Sequence, residues 1–142
     1  MDNPQFIRLH TREYGTLDYD PSVPCIIATH LGFATDEELK AMLDLGLAYA
    51  VVKKKYHSRI GWLANTSLTD GNNVGEWSAT DWNPRLIAEG IYHLAFVLPK
   101  YVFAQMQIND YVTLSPKMKT ASFESIEAAK EWLKFNLYNG DC

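Results

Sequence analysis

Cys25-Ile26-Ile27-Ala28-Thr29-His30-Leu31 is almost unbroken in apolar and β-branched residues, the composition of a strand covered on both faces. Pro24 opens it. Such a strand belongs at or near the centre of a sheet. The same kind of run returns at Ile60-Gly61-Trp62-Leu63-Ala64 and at Tyr92-His93-Leu94-Ala95-Phe96-Val97-Leu98, which Pro99 ends. Between the first two runs, Thr35 reads as a helix N-cap. Asp36, Glu37 and Glu38 fill the first turn and Lys53, Lys54 and Lys55 the last, where the helix dipole favours each sign of charge. Leu39, Met42, Leu43, Gly46 and Ala50 recur at helical spacing and define a core face. Strands alternating with helices in this way predict an α/β domain with a mostly parallel sheet.

Working outward, Phe6-Ile7-Arg8-Leu9-His10 is a short strand, and residues 14–24 are rich in turn formers. After Asn65-Thr66-Ser67 comes a polar loop, then a helix from about Glu76 to Gly90. Pro84 either kinks this helix or marks the first turn of a shorter one capped by Asn83. A helix over residues 101–112, a strand over Lys119-Thr120-Ala121-Ser122-Phe123 and a last helix capped by Ser125 complete the chain. Ile126, Ala129 and Leu133 line one face of that helix. The expectation is a single domain over residues 1–138, a mixed and mostly parallel sheet of about five strands with about four helices, and a loose tail at 139–142. In such sheets ligands bind beyond the carboxyl ends of the strands, which here carry His30, Asn65, Thr66, Ser67 and Pro99.

The chain has 142 residues, 47% of them hydrophobic and 21% charged, enough for one domain with a real core and too few for two. A net charge of −4 argues against a binder of nucleic acid or anionic membrane. Cys25 and Cys142 form no closely spaced pair, the start of the chain has no basic segment or apolar signal core, and the longest mainly apolar run, Leu43 to Val52, is about half a membrane span. A reducing, cytoplasmic setting without a membrane span is expected. Asn65-Thr66-Ser67 matches a glycosylation acceptor, which has no meaning without secretion.

The second half of the long helix is apolar almost all round. Leu45, Ala48 and Val52 lie opposite its core stripe, and something should cover them. A neighbouring element, a homodimer contact and a lipid or ligand groove are all open readings.

Trp62-Leu63-Ala64-Asn65-Thr66, the Trp77 to Trp82 segment, Pro84-Arg85 with Gly90, Ala95-Phe96-Val97-Leu98-Pro99, and Phe123 to Leu133 together resemble the STAS-like group. This is the fold of the sporulation anti-anti-sigma factor, and the closer likeness is to uncharacterised bacterial STAS/SEC14-like proteins. In those, a "W-L-A-D-T" strand end precedes a Trp-bearing helix ending "P-R-x-x-x-x-G", an "A-F-V-x-P" strand and an "F-x-S-x-E-E-A-x-x-W-L" helix. The resemblance covers residues 6–133. It implies a regulatory domain whose partner binding is switched by phosphorylation at the start of a helix, for which the nearest hydroxyls are Thr66 and Ser67. Asn65 stands where Asp is usual, no Ser-Gly step follows, and about ten loop residues intervene. The SEC14 side of the likeness implies lipid binding.

His10, His30, His57 and His93 have no ligand spacing, so no metal is expected. His30, oriented by Asp70 or Asp81, would suit a general base, but the chain has no nucleophile motif, phosphate loop or dinucleotide fingerprint. No cofactor is expected either. Lys53, Lys54, Lys55, His57 and Arg59 read as a solvated helix end. One of Trp77 and Trp82 should pack in the core, and the other could stack on a ligand or wall a pocket beside the Asn65 to Asn73 loop. The leading expectation is therefore a non-enzymatic domain acting through protein recognition, as a homodimer or with a partner, using Leu45, Ala48 and Val52. The alternative is a binder of a small apolar ligand at His30, Asn65, Trp77 and Trp82, and the third reading is a hydrolase using His30.

Overall fold

A computed structural model describes residues 6–100, 102–113 and 116–139. Of the tail expected at 139–142, Asn139 closes the last helix and the rest lies outside the described residues, as do Cys142, residues 1–5 and Tyr101.

Six strands form one sheet in the order in which they occur in the chain: β1 (Ile7–Arg12), β2 (Gly15–Asp20), β3 (Cys25–Gly32), β4 (Gly61–Thr69), β5 (His93–Val97) and β6 (Lys119–Phe123). The first two pairings are antiparallel, and β3 to β6 run parallel. The strand beyond the expected five is β2, in a segment whose two aspartates read as turn formers. Its alternation explains it: Leu17 and Tyr19 enter the main core, while Asp18 and Asp20 point to the other face. There Asp18 pairs with Arg8, and Asp20 with Lys130 at 2.8 Å.

Helix α1 (Asp36–Lys54) follows β3 and begins at the expected cap. Thr35 Oγ1 accepts from the Glu38 amide at 3.1 Å, and Glu38 Oε1 accepts from the Thr35 amide at 2.9 Å, a complete capping box. Between β4 and β5 the helix is divided by Pro84. A short α2 (Gly75–Trp77) passes through a π-helical turn (Ser78–Trp82) into α3 (Asn83–Ala88), which has the proline in its first turn. The wide turn accommodates the amide that proline lacks. Gly90, with φ of +79°, follows the end of α3 in the left-handed conformation that a Cβ disfavours. Helix α4 (Val102–Thr113) precedes β6, and α5 (Ile126–Asn139) ends the described chain, with Ser125 Oγ capping the Ala128 amide at 3.1 Å.

The helices divide unequally between the faces. Leu39, Met42 and Leu43 of α1, Trp82, Leu86, and Ile108 and Tyr111 of α4 pack with Leu17, Ile26, Ala28, Trp62, Leu94 and Phe96 in the main core. On the other face, among the described residues, α5 is the one covering helix, burying Ala129, Leu133 and Leu137 against Cys25, Ile27, Leu63, Ala95 and Val97. Thus β3 is central and covered on both faces. Among the described residues no helix is long and apolar enough to cross a membrane.

Candidate ligand cavity

At the carboxyl ends of β3, β4 and β5, the helices on the main-core face do not close completely over the sheet. They leave a half-open cavity of about 100 Å³. Its sheet wall is His30, Trp62, Ala64, Thr66, Thr69, Leu94 and Phe96. Leu39 and Leu43 of α1, Ser78 and Trp82 of the π-helical turn, and Gln107, Ile108 and Tyr111 of α4 complete it, with the 71–75 segment at the rim.

Packing of aromatic rings sets its shape. Trp62 and Trp82 meet edge to face with centroids 4.8 Å apart, and Phe96 and Tyr111 do so at 5.7 Å. Trp82 is anchored by Nε1 donating to the Leu43 carbonyl at 2.9 Å, and Tyr111 by its hydroxyl donating to Asn83 Oδ1 at 2.6 Å. Thr66 Oγ1 donates to the Val97 carbonyl at 2.6 Å. Gln107 grips the rim loop, its Nε2 donating to the Asn72 carbonyl at 2.8 Å and its Oε1 accepting the Asn72 amide at 3.3 Å.

His30 differs from these groups. It is only 9% exposed, lines the cavity, and has no hydrogen-bond partner among the described residues. Burial holds its pKa down to about 4, so the ring is neutral at physiological pH. No carboxylate contributes to that shift, whereas a general base oriented by Asp70 or Asp81 would have one. None of the described residues that line the cavity carries a formal charge at neutral pH.

The other residues singled out by sequence are dispersed. Asn65 follows β4 alternation onto the opposite face, where its Oδ1 accepts from the Ser67 amide at 3.2 Å and the Ser67 hydroxyl at 2.7 Å. Thr66 is buried, Ser67 half-buried, and both lie inside β4, with the next helix starting only at Gly75. Trp77 is outside the cavity, half-buried, its ring 5.4 Å from Lys40 Nζ and 5.9 Å from the Arg85 guanidinium. On α1, Leu45 is half-buried against the main core, while Ala48 and Val52 are exposed.

His57 Nε2 lies 2.5 Å from the Tyr19 hydroxyl, and His93 packs beside Trp132 beneath α5. Among the described residues no group of three His, Cys, Asp or Glu side chains could hold a metal. The basic run is engaged by its own chain. Lys54 Nζ donates to the Glu89 carbonyl, and Lys53 Nζ lies 5.1 Å from the Tyr19 ring. Asn72 belongs to the loop expected beside the pocket, whereas Ser78, Gln107 and Tyr111 are additions to the expected site. The available signal was Gln107 beside Ile108 and Tyr111, a polar residue at the edge of a helical apolar stripe.

No protein-family model matches the chain, and no curated protein does. Among solved structures it is similar to an uncharacterised protein from the DUF3478 family, with a SpoIIAA-like fold, from Shewanella loihica PV-4. Identity is 13% and the TM-score 0.56, over 94% of this chain and 98% of that one. At that identity the likeness speaks for architecture alone, and the chain has the SpoIIAA-like, STAS-like α/β fold.

Proposed function

We propose that this domain is a binding module that takes up a small, mainly apolar molecule at the carboxyl ends of its central strands. The observation that carries the reading is the half-open cavity with aromatic walls, in which His30 is buried without a partner among the described residues. Most small-molecule sites combine apolar walls with a few placed polar groups, and α/β sheets form them at this edge. Regulation follows if the bound molecule alters the rim loop or the helices above it. A fragment collection screened by thermal shift and Trp fluorescence tests this, because Trp62 and Trp82 report occupancy directly. Hits are expected to raise the melting temperature and to be lost in Ala64→Leu, which fills the cavity from its floor. A screen with no hit lost in that variant would refute the reading.

Surface recognition through α1, in a homodimer or with another protein, is the second reading. Ala48 and Val52 favour it, standing exposed four residues apart on one side of the helix, with Val52 47% exposed. Light scattering tests it: a concentration-dependent dimer that Val52→Glu abolishes is the expected result, and a strict monomer opposes self-association.

A further inference from the structure

Resting on the cavity reading, we infer that the ligand is uncharged and presents an aromatic ring of about phenol size, with its one polar group hydrogen-bonded to His30. Charge is decided by the walls. Among the described residues no ammonium, guanidinium or carboxylate lines the cavity, so a carboxylate or ammonium ligand would give up its hydration for no opposite charge.

The polar group is decided by which lining atoms remain unengaged. Thr66, Tyr111 and Trp82 already donate to Val97, Asn83 and Leu43, which among the described residues leaves the Ser78 hydroxyl on the helix side and the His30 ring on the sheet side. His30, 9% exposed, is less deeply buried than Thr66, Trp82 and Tyr111, engages nothing among the described residues, and shares the sheet wall with Trp62 and Phe96. A neutral imidazole offers one donor and one acceptor, so it answers a hydroxyl in either tautomer. Trp62, Trp82 and Phe96 offer ring faces and edges on several sides. The volume, about 100 Å³ with an open mouth, compares with the roughly 150 Å³ apolar cavity known in another protein to admit benzene. The enclosed part matches a single ring, and most of a long acyl chain would have to lie outside it.

The test is a set of titrations at neutral pH, followed by Trp fluorescence and calorimetry, with benzene, phenol, benzoate and benzylammonium as probes. Phenol is expected to bind about 5-fold more tightly than benzene, the effect of one net hydrogen bond, and both charged probes at least about 100-fold more weakly than phenol. In His30→Leu the preference for phenol over benzene is expected to vanish while benzene still binds, and in His30→Gln part of it returns. Benzoate binding as well as phenol overturns the inference and leaves the cavity reading intact. Benzene and phenol binding equally to the native protein does the same. Failure of all four probes refutes both. The ranking on the native protein stands without any variant.

Discussion

Glycine is a costly choice in a helix interior, by about 1 kcal/mol relative to alanine, so Gly46 in the middle of α1 calls for a reason. The reason is on the sheet face that α1 covers. A Cβ on Gly46 would run into the Trp62 ring and lie 3.2 Å from Leu17 Cδ2, so the missing side chain is the space in which the indole sits. Gly46→Ala should gain helix propensity and lose more through overpacking, a net destabilisation of about 1–2 kcal/mol. Urea unfolding would register it. Because Trp62 also forms a cavity wall, ring-sized probes should bind more weakly in the same variant. A variant as stable as the native protein would show that the indole relaxes freely. Residue identity was legible where one chain segment decides it. His30 ends a continuous apolar strand and Thr66 lies on the expected edge, so their places beside one cavity follow from the run of the chain, with Trp82 meeting them from the helix that comes after. Asn65 was grouped with Thr66 by position along the strand, although alternation forces neighbours onto opposite faces. Trp77 was paired with Trp82, but the intervening π-helical turn belongs to the context of Pro84 and leaves Trp77 under Lys40 and Arg85.

At the level of elements, the hidden piece was β2. Asp18 and Asp20 carry a strong local preference for turns, and although Arg8 is ten residues from Asp18, Lys130 is far from Asp20 in sequence, so no local window displays that second pairing. Lys130 reaches Asp20 from α5, the one helix on its face among the described residues, and thereby ties that helix to the antiparallel half of the sheet. Asp20 is 1% exposed and Lys130 19%. Lys130→Met should leave Asp20 Oδ2 buried without a counter-charge, since Ser22 donates to Oδ1 only, from its amide at 2.9 Å and its hydroxyl at 2.6 Å. The expected loss is about 2–4 kcal/mol, below the upper end for a fully buried pair because Lys130 keeps some contact with water. Combining it with Asp20→Asn should restore most of the stability, as measured by denaturant midpoints with an unchanged slope. If the double variant is no better than Lys130→Met, the ion pair is not what joins α5 to β2.

For the molecule as a whole, the sheet brings a neutral histidine into the main core, and the folded state therefore has a built-in sensitivity to acid. Burial lowers the His30 pKa from its ordinary 6.5 to about 4. As pH falls through 6.5 the unfolded chain takes up a proton at this ring and the folded chain does not, so the native state loses ground until about pH 4, where the folded ring protonates too. Stability from this source is thus undiminished above pH 6.5, declines across the interval and then levels off, by roughly 3 kcal/mol at most. His10, lowered by its smaller burial and by Arg12, adds to the decline in the same direction. Asp20 acts lower on the scale. Burial pushes its carboxyl up, but hydrogen bonds from Lys130 and Ser22 hold it below the ordinary 3.8, so its contribution is present above that value and lost in stronger acid. Urea unfolding at a series of pH values between 7.5 and 4 separates these effects, since Asp20 stays charged in both states through most of that range. The native protein should lose stability steadily, and His30→Gln, which keeps a polar group of similar reach without a titrating ring, should be much flatter. Parallel curves for the two proteins would mean that the ring gains water or a partner when the cavity opens, and that the cavity is not the dry, uncharged chamber on which selection of a neutral ligand depends.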